Sequence, residues 1–120
     1  MHAQFIGRVR VAAPLLALSF LTLALAPLSI AHAAPAPVTV KIDNFTFDAQ
    51  TITVPVGTTV TWVNNDDIPH TVVADDKKTF RSKVLDTDDK FSFTFTTPGT
   101  FGYFCSIHPH MTGKVVVKPG

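Results

Sequence analysis

Cysteine is nearly absent from this 120-residue chain; Cys105 is the only one. A single thiol cannot close an internal disulfide, so no disulfide framework holds the fold together. A strong charge of either sign is also missing. Ten Lys and Arg stand against nine acids, all of them Asp, and such a balance leaves no basic footprint for nucleic acid. No stretch has the apolar period of a long amphipathic helix, and no segment repeats, which excludes helical bundles and repeat arrays.

A long spanning segment is missing too. The start "MHAQFIGRVR" carries Arg8 and Arg10 and no acid, and the apolar run "VAAPLLALSFLTLALAPLSI" follows it. Pro14 and Pro27 bracket the apolar core and leave it short for a spanning helix of roughly 20 residues. Ala31 and Ala33 in "AHAA" stand where an A-x-A cleavage site needs small residues. Positive start, apolar middle and small exit are the parts of a secretory signal peptide, expected at residues 1–33 with cleavage after Ala33. Val9 separates the arginines, so a Sec-type route is expected rather than a twin-arginine one. Residues 34–120 then form one small domain with a modest core. Its formal charge is −1, from eight Lys and Arg and nine Asp. An exported domain this small often relies on a staple; without a disulfide, a bound metal is the other common one.

What is present reads as strands. "VTVKI" alternates, with Val38, Val40 and Ile42 on one face. "TITVPVGTTVTWVN" holds two short β-rich runs around the turn residues Pro55 and Gly57, with Val60 and Trp62 sharing a face. "HTVVAD" is another run. Phe91, Phe93 and Phe95 alternate with Ser92, Thr94 and Thr96; "TPGT" turns the chain into "FGYFC", and "GKVVVKP" closes it. About seven short strands separated by turns predict an all-β, antiparallel Greek-key β-sandwich. Trp62, Phe91, Phe93 and Phe95 are expected in its core. The polar stretch "ADDKKTFRSKVLDTDD" is expected to be a long loop.

The chemistry lies in "GYFCSIHPHMTGKVVV". Cys105, His108 and Met111 are spaced C-x2-H-x2-M, so one tight loop can aim three side chains at one centre. A thiolate, imidazoles and a thioether are soft or borderline donors, and two His, one Cys and a weak axial Met form the copper arrangement used in electron transfer. A short loop cannot enclose a metal alone. His70, where "NNDDIP" enters "HTVVAD", is the natural fourth donor.

These two segments, "VGTTVTWVNNDDIPHTVV" and "GTFGYFCSIHPHMTGKVVV", resemble the cupredoxins, the small blue-copper proteins. The short ligand loop is most similar to that of the amicyanins; plastocyanins and pseudoazurins share the ligand order with a longer His-to-Met segment. The resemblance covers essentially all of residues 34–120. It implies His70, Cys105 and His108 as equatorial ligands and Met111 as the axial one, around one copper ion cycling between Cu(I) and Cu(II). It further implies that His108 reaches the surface through an apolar rim that includes Ile107 and Pro109. The partners it implies are redox proteins, such as an amine-oxidising dehydrogenase as donor and a c-type cytochrome as acceptor. Two positions depart from the family pattern. Thr71 stands where relatives usually carry Asn to tie the ligand loops together, and Ile107 stands where amicyanin-like loops tend to have Pro. The restored Ile107 N–H is expected to donate a hydrogen bond to the Cys105 sulfur.

Other readings of the same residues are weaker. A buried structural thiol leaves the neighbouring His and Met unexplained. A Cys–His hydrolase needs an orienting Asn or Asp and an oxyanion site, and neither can be placed. Structural zinc prefers more thiolates or histidines and rarely takes Met. A copper chaperone or storage protein is the rival function, but residues 34–120 contain one Met and three His, too few for an exposed metal-handling cluster and far too few for multicopper oxygen chemistry. The expected function is thus a soluble one-electron carrier, not an enzyme, monomeric, periplasmic or secreted, without stable membrane association. His110 is expected to be an exposed loop histidine, and His2 and His32 to leave with the signal peptide. Asp66 and Asp67 are expected to be solvated loop acids. The basic segment Lys77, Lys78, Arg81 and Lys83 is expected to be a solvated loop, with a docking patch as the alternative.

Overall fold

The computed structural model describes Gly7 and residues 10–120; His2 and Arg8 lie outside the described residues. The chain divides into two units, one ending at Ala31 and the other spanning His32–Gly120. Residues 10–37 carry neither helix nor strand. Among the described residues no helix is long and apolar enough to cross a membrane.

The second unit is all-β. Eight strands run in order β1 (Val38–Asp43), β2 (Thr46–Asp48), β3 (Thr51–Pro55), β4 (Thr58–Asn64), β5 (Val73–Ala74), β6 (Lys90–Phe95), β7 (Gly99–Phe104) and β8 (Thr112–Lys118). They form two four-stranded sheets, β2-β1-β4-β6 and β3-β8-β7-β5. The period-2 pattern explains why. Val40 and Ile42 of β1, Val60 and Trp62 of β4, and Val115 of β8 are all fully buried, while their neighbours point outward. Two sheets each apolar on one face bury those faces against each other.

Four pairings are antiparallel, whereas β1 with β4 and β3 with β8 run parallel. The connection after β2 takes the chain into the other sheet as β3. When β4 returns to the first sheet it therefore lies alongside β1 in the same direction. The three-residue β2 is too short to show an alternating pattern, which is why seven strands rather than eight are legible in the sequence.

Trp62 anchors the core. It is stacked between Phe80 and Phe91 at centroid distances of 5.7 and 5.8 Å, and Tyr103 meets it edge-on at 5.3 Å. Phe95 is fully buried, and Phe91 and Phe93 pack against the cluster from its edge. Each such aromatic pair adds about 0.5–1.5 kcal/mol beyond the area it buries. Tyr103 needs room to enter. A Cβ at Gly113 would run into the Tyr103 ring, so only glycine fits opposite it on β8.

The polar stretch after β5 is a long loop, as expected, but it is pinned. Phe80 and Leu85 are buried within it. Arg81 bridges to Val73 and Leu85 bridges to His70 through the backbone. Its second half is thereby fixed against one end of the sandwich, where the histidine enters.

Candidate metal centre

The strand ladder builds the ligand loop. β7 and β8 are antiparallel with Phe104 opposite Thr112, so residues 105–111 form the tip of that hairpin. Inside the tip the Cys105 N–H donates to the Met111 carbonyl at 3.0 Å. The His108 N–H then donates to the Cys105 carbonyl and the Met111 N–H to the His108 carbonyl, at 3.2 and 2.9 Å. These are two successive i→i+3 turns, and that geometry places i and i+3 side chains on one side. The three-residue spacing of Cys105, His108 and Met111 is the sequence form of these two turns. Cys105 and Met111 are buried and His108 is half-buried.

His70 is held on the facing loop. Its N–H donates to the Leu85 carbonyl at 3.0 Å and its carbonyl accepts from the Leu85 N–H at 2.7 Å. The buried Asn64 side chain donates to the carbonyls of both Ile68 and Leu85 at 2.9 Å, locking the approach to His70 from two sides. The imidazole has no exposed surface.

The result is a triangle of donors. His70 Nδ1 lies 3.8 Å from Cys105 Sγ, His108 Nδ1 lies 3.6 Å from the same sulfur, and the two nitrogens are 3.2 Å apart. A point equidistant from three such atoms is about 2 Å from each, a metal–imidazole bond length. These three residues form the only group of His, Cys and acidic side chains among the described residues able to hold a metal. The donor set of one thiolate and two imidazoles, closed by a loop that ends in a buried Met, fits copper.

Asp66 sets the state of His70. Its Oδ2 lies 2.7 Å from His70 Nε2. A carboxylate only accepts, so Nε2 carries the proton and Nδ1 turns a bare lone pair toward Cys105. Burial pushes the Asp66 carboxyl up, but the N–H groups of Phe45 and Asn44 and the His70 imidazole outweigh it and hold it below its ordinary value. Asp66 is therefore not the solvated loop acid expected from the sequence. It is nearly buried and accepts from Asn44 N–H, Phe45 N–H and His70, at 2.6, 3.0 and 2.7 Å. Asp67 is exposed, as expected.

Asn44 and Phe45 form the two-residue turn between β1 and β2, both at positive φ, 49° and 59°. A primed hairpin turn of this kind favours Asn followed by Gly. Here the second position is Phe45, which costs conformational energy in the left-handed region. Its ring compensates by meeting His70 and His108 edge-on, at centroid distances of 5.5 and 5.0 Å. Nothing in the sequence marked Phe45, or set Asp66 apart from its exposed neighbour Asp67.

Thr71 ties the two loops together in place of the family's Asn. Its hydroxyl lies 2.7 Å from Ser106 Oγ and accepts from the Ser106 N–H at 2.8 Å. Its N–H and hydroxyl both donate to Cys105 Sγ, at 3.3 and 3.8 Å. The expected bond from Ile107 N–H to that sulfur is not among the described hydrogen bonds; the turn that brings the His108 N–H onto the Cys105 carbonyl engages the loop through the next residue. His110 is exposed and lines a shallow cleft of about 140 Å³ with Phe45, Phe47 and Met111.

The sequence matches the family model of the cupredoxin-like domain over residues 15–117. The chain belongs to the cupredoxin family. It is 35% identical over 96 residues to the amicyanin of Paracoccus denitrificans, covering 77% of this chain and 73% of that one. Among solved structures, a purple cupredoxin from Nitrosopumilus maritimus superposes with a TM-score of 0.63 at 33% identity, covering 68% of this chain and 99% of that one. The Cu(I) form of an amicyanin variant superposes with a TM-score of 0.64 at 30% identity, covering 71% of this chain and 92% of that one. The cupredoxin sandwich and its copper chemistry are thus shared with the amicyanins. The cupredoxin site of this chain places its sulfur, its two imidazoles and its buried methionine on the two loops from which the sequence drew them.

Proposed function

We propose that residues 34–120 are a blue-copper one-electron carrier, exported by a signal peptide at residues 1–33 and working in the periplasm or outside the cell. In this reading His70, Cys105, His108 and Met111 would hold the copper ion. The observation that carries it is the triangle of two Nδ1 atoms and one Sγ with sides of 3.2–3.8 Å. Copper, when bound, supplies the Cu(I)/Cu(II) couple.

The chain's own contribution is to hold the donors still. His70 is fixed by Leu85, Asn64 and Asp66, and Cys105 by the hairpin ladder and Thr71. Donors locked by packing and outer hydrogen bonds keep one geometry for both oxidation states, so little rearranges when an electron moves. The buried sulfur excludes water from the thiolate. His108, half-buried, is the ligand nearest to solvent. Phe45, Ile68, Val84 and Ile107 are exposed apolar side chains on the segments that carry or hold the two histidines, and Pro109 is exposed next to His108. Phe45 touches both imidazoles, and Ile107 adjoins His108. Ile68 and the neighbour of Val84 are bound to Asn64. Such a rim suits small, brief contacts with redox proteins. A dehydrogenase donor and a c-type cytochrome acceptor are the partners this family resemblance favours. The carrier reading gives the domain no turnover of its own.

The test is one equivalent of Cu(II) added to residues 34–120, with Cys105→Ser alongside. An intense visible thiolate-to-copper band with narrow copper hyperfine splitting, lost in the variant, is expected. A pale spectrum that the variant leaves unchanged would overturn the reading. Retention of copper through repeated redox cycles separates a carrier from a chaperone, which would release Cu(I) to an acceptor.

A further inference from the structure

Half of the cations in residues 34–120 lie in one short segment. Lys77, Lys78, Arg81 and Lys83 are four of eight Lys and Arg, and no acid interrupts them. All four are exposed. Among the described residues the one side-chain ion pair is His70 with Asp66, so no carboxylate lies within ion-pair distance of these four, although the Asp76 carboxylate attracts Lys78 from just before the segment. Asp76, just before them, uses its carboxylate to accept from the N–H groups of Lys78 and Thr79 and from the Thr79 hydroxyl. That turn orders the chain carrying Lys77 and Lys78.

The segment is fixed to the metal centre. Ser82 is buried between exposed Arg81 and Lys83. Its N–H donates to the Val72 carbonyl at 2.8 Å and its hydroxyl accepts from the Val72 N–H at 2.8 Å. Val72 follows Thr71, whose N–H donates to Cys105 Sγ. Arg81 and Lys83 thus stand outward from a strand-like segment braced on the backbone that touches the Cys105 sulfur. Next along the chain, Val84 is half-exposed and Leu85 pairs with His70. The last cation, Lys83, is therefore followed directly in the chain by an exposed apolar side chain and then by the residue whose backbone holds His70.

Resting on the carrier reading above, we propose that Lys77, Lys78, Arg81 and Lys83 form a cationic shelf onto which an acidic face of a redox protein docks, with the apolar rim seated beside it. The shelf steers encounter, and the rim makes the contact. The charge complementarity is local: residues 34–120 carry a net −1, so attraction of an anionic partner comes from this segment and not from the whole domain.

Two measurements test it. In the first, copper-loaded reduced protein is oxidised by hexacyanoferrate(III), a trivalent anion, and by tris(phenanthroline)cobalt(III), a trivalent cation. The rate with the anion is expected to fall roughly fivefold or more from about 0.01 M to about 0.15 M salt, as screening shortens the reach of the shelf. Replacing all four cations with Gln should flatten that dependence while the visible spectrum stays unchanged. Replacing Lys114 and Lys118 on β8 with Gln should leave it intact. In the second, metal-free protein is titrated with an oligo-aspartate peptide, and amide shifts are expected at residues 77–84. A normal blue spectrum with a salt-independent anion rate and no peptide shifts overturns the shelf and leaves the copper reading standing. Peptide shifts at residues 77–84 without a blue spectrum overturn the carrier and keep the shelf. Salt-sensitive pelleting with phosphatidylserine vesicles that needs the four cations overturns the protein partner in favour of a lipid surface.

Discussion

The two histidines of the site do equivalent work and are held in opposite ways. His70 has no exposed surface; both backbone groups pair with Leu85 and its outer ring nitrogen is bound by Asp66. His108 sits half-exposed in a seven-residue loop, held by backbone turns and by the edge of Phe45. One ring belongs to the scaffold and the other to the surface. The proposed carrier would need both: a fixed frame for the metal, and one donor close enough to solvent for an electron to pass.

Removing each ring in turn should expose this asymmetry most strongly. His108→Gly opens a gap to solvent, so added imidazole should restore the blue spectrum. His70→Gly leaves a cavity beneath Phe45, framed by Leu85 and Asp66, and the same imidazole concentration should restore far less. Equal rescue of both variants, measured by the visible band, would mean the two positions are equally accessible.

Asp66→Asn is a smaller perturbation of the scaffold side alone. It keeps the shape but loses the charge on the acceptor. A carboxylate makes the imidazole a stronger donor and favours the more highly charged metal, so the reduction potential of the variant should rise. Loss of the charge-assisted bonds should destabilise the metal-free protein by about 1–3 kcal/mol. The sign with pH follows from the depressed carboxyl. Its stabilisation is complete above the ordinary aspartate value of 3.8 and is lost as pH falls through the lower folded value. Acid unfolding of the metal-free wild type should therefore steepen below about pH 4, and Asp66→Asn should lack that component. An unchanged potential and an unchanged acid limb would show that Asp66 is a bystander.

The smallest effect is expected at Ile107, on the surface side. Both donors described on Cys105 Sγ come from Thr71, so Ile107→Pro should leave the potential where it is. A clear drop, read by voltammetry, would show that the Ile107 N–H reaches the sulfur after all.

The same asymmetry governs what could be seen in the sequence. The approach of Cys105 and His108 was legible because donor type and spacing are local, and a tight turn translates that spacing into proximity; a second turn of the same kind carries the chain on to the buried Met111. His70 was legible because its residue type and its place before a β-run matched the other half of the site. The sandwich was legible in Val40, Ile42, Val60, Trp62 and the Phe91–Phe95 alternation, since burial on one face imposes a period of two. The outer ring was not. Asp66 stands beside Asp67 in a polar loop, and nothing in its own segment distinguishes the buried acid from the exposed one. Its partners are the N–H groups of Asn44 and Phe45, some twenty residues earlier, and only the fold brings them together. Phe80 and Leu85 were hidden in a polar stretch for the same reason, being isolated apolar residues whose partners are distant in the chain.

Asp66 also couples the tolerance to substitution of three segments. One carboxylate accepts from the turn at residues 44 and 45 and from the ring at residue 70. The turn would be relaxed by glycine in place of Phe45, yet that change uncovers both imidazoles. A substitution at the turn therefore changes what a later substitution at Asp66 or His70 does. Double-mutant cycles linking these positions should be non-additive, because distance along the chain does not separate groups that share a partner. The permitted sequences of a surface hairpin are, on this account, filtered by a metal site to which the hairpin gives no ligand.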